Sequence, residues 1–71
     1  MKLADIKHQI KEGFRFKVYN PDVEPEIATV TELFYEGGDL EVISVIVGQG
    51  DQAFYAEMYL DDDYNNVELL E

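Results

Sequence analysis

The hydrophobic pattern is strongest over Leu40–Val47, which reads Leu-Glu-Val-Ile-Ser-Val-Ile-Val and is rich in β-branched residues. Branched side chains favour strands, and successive side chains of a strand point to opposite faces. One face is predicted to carry Leu40, Val42, Ser44 and Ile46, and the other Glu41, Ile43, Val45 and Val47. Because both sets are mostly apolar, this central strand is predicted to be covered on both faces. A sheet core would cover one face, and a helix or a second copy of the chain the other.

The remaining periodicity predicts one helix and four further strands. Leu3, Ile6 and Ile10 recur on one stripe, which predicts a helix over residues 3–12 that ends before Gly13. Alternation of apolar and polar residues predicts strands over about 14–19, 26–36, 52–60 and 67–70, in addition to 40–47. On the strand over 52–60, inward positions are Phe54, Ala56, Met58 and Leu60, and outward positions are Tyr55, Glu57 and Tyr59.

Turn residues separate these strands. Asn20-Pro21-Asp22 predicts a turn, and Pro25 is expected to keep the following connection irregular. Hairpin turns are predicted at Gly37-Gly38-Asp39 and at Gly48-Gln49-Gly50-Asp51. The alternation slips near Glu32-Leu33-Phe34, which indicates a bulge or a sharp bend in the second strand.

One helix followed by five strands in hairpins predicts a single α+β domain over residues 1–71 with an antiparallel, strongly bent sheet. From Phe14 to Leu70 the strand count resembles a small SH3-like or Tudor-like barrel. The spacer Leu60-Asp61-Asp62-Asp63-Tyr64-Asn65-Asn66-Val67 before the last strand is part of that resemblance. Such barrels serve many functions, so the resemblance implies none of them. An open curved sheet packed on the helix is the alternative.

Length and composition narrow the class of protein. The 71 residues include no cysteine, 46% are hydrophobic and 13% are aromatic, which indicates a folded domain without disulfides. A chain this short buries only about 60% of its unfolded surface, which favours self-association. The chain shows neither a long apolar run nor the pattern of a signal peptide, so we expect a cytoplasmic location and no membrane partner.

Charge is divided unevenly along the chain, whose net charge is -11. All five cations lie in the first 17 residues: Lys2, Lys7, Lys11, Arg15 and Lys17. From Val18 onward there is no Lys or Arg, and 14 of the 16 carboxylates remain. Such a surface repels nucleic acid and anionic membranes and attracts basic partners.

The sequence offers no catalytic, cofactor or metal site, and we expect the protein not to be an enzyme. His8 is the only histidine and is expected on the polar face of the helix, with no nucleophile signature near it. Asp61-Asp62-Asp63-Tyr64-Asn65 starts like a calcium-binding loop, but Asn66 stands where glycine is required. Gly48-x-Gly50 lacks the third glycine and the lysine of a phosphate loop, and a hairpin explains it.

The tyrosines Tyr19, Tyr35, Tyr55, Tyr59 and Tyr64 are expected to face outward. Tyr55, Glu57 and Tyr59 would form a row on one strand. Ordinary cross-strand packing explains such a row. It could equally join two copies of the chain or hold a basic partner through cation–π and ion-pair contacts.

In size, acidity and absence of catalytic motifs, Val18–Glu71 resembles the small acidic phage-encoded DNA-mimic inhibitors. The resemblance implies an often dimeric inhibitor that occupies the basic DNA-binding surface of a host protein such as a sliding clamp, polymerase, glycosylase or nuclease. It also implies no direct binding to nucleic acid and a location in the host cytoplasm. The expected partner-binding residues are Asp22, Glu24, Glu26, Glu36, Asp39, Glu41, Asp51, Glu57, Asp61, Asp62, Asp63, Tyr55, Tyr59 and Tyr64.

The alternative is a structural or adaptor module in which a barrel uses its exposed tyrosines to hold a peptide or to self-assemble. The acidic charge would then serve only solubility. Replacing the carboxylates and replacing the tyrosines separate these two hypotheses.

Overall fold

A computed structural model of the chain describes residues 1–20, 23–61 and 66–70. A 3₁₀ helix over Leu3–Gln9 precedes five strands: β1 (Arg15–Asn20), β2 (Val23–Glu36), β3 (Asp39–Val47), β4 (Phe54–Tyr59) and β5 (Val67–Leu69). All pairs are antiparallel and the strand order is β4-β3-β2-β1-β5. The predicted small helix with a five-stranded antiparallel sheet is confirmed. The sheet is open, with β4 and β5 at its edges, rather than a closed barrel.

The N-terminal helix is shorter and more tightly wound than the sequence predicts. Residues three apart eclipse each other in a 3₁₀ helix, so Leu3 and Ile6 share one line and both are buried. The helix ends at Gln9, since Ile10 has the extended backbone angles φ -75° and ψ 128°. The prediction of a helix over 3–12 is therefore wrong beyond Gln9. Ile10 reaches the core from the connection to β1, where Gly13 adopts φ 89° in a turn.

β2 begins at Val23, three residues earlier than predicted, and contains Pro25. The expectation that Pro25 keeps the connection irregular is wrong in that Pro25 lies within a strand. The β1–β2 register does shift beside Pro25, between the pairs Val18–Glu26 and Asn20–Val23. Proline is tolerated in a strand where its missing N–H has no ladder partner. β3 pairs with β2 only from Ala28 onward, so one side of β2 has no neighbouring strand at Pro25. The other strands lie within two residues of their predicted bounds.

Two bulges bend the β2–β3 hairpin. The β2–β3 register shifts between Val30 and Glu32, which confirms the predicted bulge and places the extra residue at Thr31. A second shift leaves Glu41 without an opposite residue, because Phe34 pairs with Val42 and Tyr35 with Leu40. An extra residue reverses the alternation of faces beyond it. Leu40 is consequently buried with Ile43, which corrects the predicted grouping of Leu40 with Val42.

Only one face of β3 is covered by the described residues. Its buried face joins one core made of Leu3, Ile6, Ile10, Phe16, Val18, Ala28, Val30, Leu40, Ile43, Val45, Val47, Met58, Leu60 and Val67. Val42, Ser44 and Ile46 on the other face are only half-buried. The helix of this chain therefore does not cover the second face of β3, because its apolar residues join the core on the first face. The predicted alternative, cover by a second copy of the chain, stays a prediction. None of the helices in the described part of the chain is long and apolar enough to cross a membrane.

Candidate acidic interaction surface

Four carboxylates meet at one end of the sheet, and we call this group the acidic end. Glu36, Asp39, Glu41 and Asp61 line a surface cavity of about 410 Å³, together with Ala4, Lys7, Leu40 and Leu60. The turn Gly37-Gly38 places Glu36 opposite Asp39, because both glycines adopt the positive φ that a two-residue hairpin turn requires. The amide of Leu60 donates to the carbonyl of Glu41 over 2.9 Å, which brings Asp61 to the same end.

Like charges at the acidic end disfavour full ionisation. A hydrogen bond that the protonated Glu41 carboxyl group donates to the Glu36 carboxylate raises the pKa of Glu41 above its usual value of 4.5. The negative charge of Glu36, weak desolvation and the charge of Asp61 raise the pKa of Glu41 further. Carboxylates held close together carry mutual repulsion that a positive side chain placed between them would relieve.

A cation of the N-terminal helix also contributes to this cavity. Lys7 is half-buried and lines the cavity with the four carboxylates. Lys7 is not among the predicted site residues. The sequence feature that points to Lys7 is the contrast between the basic first 17 residues and the acidic remainder, which favours contact between the two segments.

The other predicted acidic residues do not join the acidic end. Glu24 and Asp51 are exposed at the opposite end of the hairpin, the first on β2 and the second in the 3₁₀ turn Gly50–Gln52. Glu26 lines a separate groove of about 760 Å³. That groove also contains Arg15, so its charge is mixed. Asp22, Asp62, Asp63 and Tyr64 lie outside the described residues.

The uncovered side of β2, β3 and β4 forms a second surface, which we call the open face. β4 contributes the row Tyr55, Glu57 and Tyr59, opposite Ile46, Ser44 and Val42 of β3. The predicted row is thus confirmed to lie outward, and Tyr55 is 77% exposed. Phe54, predicted to face inward, is 51% exposed at the end of β4, where the core does not reach it.

β2 adds two residues to the open face, Glu32 and Phe34, that are not among the predicted site residues. Glu32 lies opposite Ser44, and Phe34 lies opposite Val42 and is 43% exposed. The bulge at Thr31 decides the face on which both residues lie. Since alternation alone does not locate a bulge to the residue, the pattern could not place Glu32 beside the tyrosine row.

Tyr19 is engaged within the chain. Its hydroxyl group donates to Glu68 Oε1 over 3.0 Å. This hydrogen bond, with slight desolvation and the charge of Glu68, raises the pKa of Tyr19 above 10.0. The carbonyl of Tyr19 accepts a hydrogen bond from the side-chain amide of Asn66. Tyr19 therefore ties β1 to β5 and is less available for a partner than Tyr55 or Tyr59.

Among the described residues, no group of three or more His, Asp or Glu side chains is arranged to hold a metal ion. Comparisons of the chain with protein-family models, with curated proteins and with solved structures found no match.

Proposed function

We propose that this protein is a non-enzymatic inhibitor that occupies the basic DNA-binding surface of a DNA-processing protein. The observation that carries the proposal is the convergence of Glu36, Asp39, Glu41 and Asp61 on one surface cavity. Glu36, Asp39 and Glu41 belong to one hairpin, and the fold adds Asp61 from the end of β4. A Lys- or Arg-lined channel is the surface that complements such a cluster.

The acidic end is denser in charge than the rest of the structure. The long axis measures 35 Å. The described residues hold all five cations and 12 of the 16 carboxylates, a net charge of -7. That is about one net charge per 5 Å, against about 3.4 Å for one strand of DNA and about 1.7 Å for the duplex. The structure as a whole is therefore sparser in charge than DNA, and the proposal rests on the cluster at the acidic end.

The electrostatics of the acidic end supply a driving force for binding. In the free protein, the hydrogen bond to Glu36 and then repulsion from Glu36 and Asp61 raise the pKa of Glu41. A basic side chain entering the cavity would remove that repulsion and lower the pKa of Glu41. Complementary charge also speeds association, and this acceleration falls as salt is added.

The test has two stages. The tagged protein is first used to capture proteins from bacterial lysate at low salt, and the captured protein is purified. Displacement of labelled duplex DNA from the purified protein is then titrated with this chain at increasing salt. We expect mutual displacement and weaker binding at high salt. Binding that duplex DNA does not displace and that high salt does not weaken would overturn the proposal.

Two double variants of equal charge show whether the acidic end is the contact. Glu36→Gln with Asp61→Asn removes two charges from the acidic end, and Glu24→Gln with Asp51→Asn removes two from the opposite end. The two variants therefore have the same net charge as each other. We expect the first to weaken inhibition on the order of tenfold or more, as for charge pairs at a complementary interface, and the second to have a much smaller effect. Equal losses would show that net charge matters and the acidic end does not.

A second candidate function is favoured by the open face. Tyr55 and Tyr59 are 77% and 45% exposed beside the half-buried Val42 and Ile46, and exposed aromatic residues on an apolar surface are typical of interfaces. An adaptor that binds a peptide there would lose its partner in the Tyr55→Ala, Tyr59→Ala variant. It would tolerate the double variant at the acidic end, which is the reverse of the result expected for the inhibitor.

A further inference from the structure

The two edges of the sheet differ in whether their backbone groups have hydrogen-bond partners. At the β5 edge, the N-terminal ammonium group of Met1 donates to the Val67 carbonyl over 3.1 Å, and the Val67 amide donates to the Met1 carbonyl over 3.3 Å. β4 forms the other edge and has no partner strand beyond β3 within residues 1–20, 23–61 and 66–70. The free edge of the described sheet is therefore β4.

The register identifies the backbone groups of β4 that point away from the sheet. The Leu60 amide donates to the Glu41 carbonyl, so Tyr59 and Val42 form a pair without mutual hydrogen bonds. In an antiparallel ladder, bonded and non-bonded pairs alternate. Phe54, Ala56 and Met58 consequently bond to β3, whereas Tyr55, Glu57 and Tyr59 direct their N–H and C=O groups outward. β4 thus presents three residues ready to pair with another strand.

β4 has few of the features that usually protect an edge strand. Such strands are often very short or carry charged side chains, above all lysine, or a proline or bulge that prevents pairing. The sequence of β4 is Phe-Tyr-Ala-Glu-Met-Tyr, and its register with β3 is unbroken from Phe54 to Tyr59. Glu57 is its only charged residue in a chain that is 30% charged. Aromatic enrichment with depletion of charge is the composition of an interface centre.

We propose that β4 pairs antiparallel with β4 of a second copy of this chain and joins two sheets into one. A second copy fits because an antiparallel edge strand is self-complementary about a two-fold axis. An axis at Glu57 would oppose two carboxylates, which is unfavourable. An axis at Ala56 or Met58 instead places Glu57 beside Tyr55 or Tyr59 of the other copy, where the tyrosine hydroxyl group can donate to the carboxylate.

The proposed pairing does not depend on the inhibitory function, since its readout is mass rather than inhibition. Each copy carries a net charge of -11, so the copies repel each other at long range. Salt screens this repulsion. We therefore expect self-association to strengthen as salt rises, which is opposite to the effect expected for binding to a basic target.

Sedimentation equilibrium over a range of concentrations and salt measures the association. Hydrogen exchange of backbone amides, followed by NMR on the same samples, locates it. We expect protection of the amides of Tyr55, Glu57 and Tyr59 to rise with concentration, while those of Ala56 and Met58 are protected throughout. A monomer at every concentration and salt would overturn the proposal, as would a dimer in which the outward amides exchange freely.

A proline substitution tests the same geometry. Glu57→Pro removes an N–H that points outward and leaves the hydrogen bonds between β3 and β4 in place. We expect dimerisation to weaken on the order of tenfold or more, because a two-fold dimer loses a hydrogen bond from each copy. Glu57→Gln is the matched control, and it should dimerise at least as well as the unmodified chain because it loses only negative charge. Equal dimerisation by the proline variant would contradict β4 pairing.

Discussion

Truncation of Leu3 to alanine tests whether the N-terminal 3₁₀ helix is part of the core. Leu3 has 0% exposure in a helix of only seven residues. Three carbon atoms are removed, worth about 2.4 kcal/mol in transfer free energy, and the cavity left behind raises the total into the range of about 2 to 5 kcal/mol. A chain of this length is expected to have an unfolding free energy of about 4 to 11 kcal/mol. Leu3→Ala should therefore remove a large part of the stability.

The measurement is urea unfolding followed by circular dichroism, with thermal unfolding as a second probe. A loss of about 3 kcal/mol corresponds to a decrease of roughly 12 to 24 °C in Tm for a domain of this size. The control is Lys11→Ala, because Lys11 is exposed and surface substitutions usually change stability by less than about 0.5 kcal/mol. If Leu3→Ala is no more destabilising than this control, the helix does not pack on the core.

Three further perturbations have definite signs. Glu41→Gln should stabilise the protein at neutral pH: the pKa of Glu41 is raised in the folded state, so the unmodified chain gains stability as pH falls through that pKa towards 4.5. Urea unfolding at neutral pH and near pH 4.5 measures the effect, and the unfolding free energy of the variant should depend less on pH than that of the unmodified chain. Gly38→Ala should cost about 1 kcal/mol or more because Gly38 has φ 87°, and thermal unfolding measures the loss. Tyr19→Phe removes an exposed hydrogen bond to Glu68 and should cost less than about 1 kcal/mol by the same assay.

The strands were predictable because alternation and turn chemistry agree over most of the chain. Gly37-Gly38 specifies a tight turn, and the β-branched run over Leu40–Val47 specifies a strand. The strand at Pro25 was not predicted, because a proline is compatible with a strand only where no neighbouring strand needs its missing N–H. That information is tertiary, since β3 begins to pair with β2 only at Ala28.

The faces of β2 and β3 were harder to predict than their existence. One extra residue in a strand reverses every later side chain. The bulge at Glu41 places Leu40 in the core, and the bulge at Thr31 places Glu32 and Phe34 on the open face. The sequence shows that the alternation of apolar and polar residues is interrupted. Which residue forms the bulge is decided by packing across three strands.

The acidic end was only partly visible in the sequence for a related reason. The excess of carboxylates is visible in the sequence, and the predicted hairpin turn brings Glu36 and Asp39 together. The addition of Asp61 depends on the hydrogen bond between Leu60 and Glu41, which joins residues far apart in the sequence. The participation of Lys7 likewise depends on how the helix packs across the end of the sheet.

The position of the acidic end relative to the β4 edge links the two proposals. Asp61 lies five residues from Ala56 and three from Met58, so antiparallel β4 pairing would hold the two Asp61 residues about 20 to 34 Å apart at about 3.4 Å per residue. The upper value is about one helical turn of duplex DNA. A dimer would thus present two separated acidic ends rather than one denser patch, and it would gain affinity by engaging two basic sites on one target. The Glu57→Pro variant should then retain binding at a single site and lose only the gain that comes from pairing.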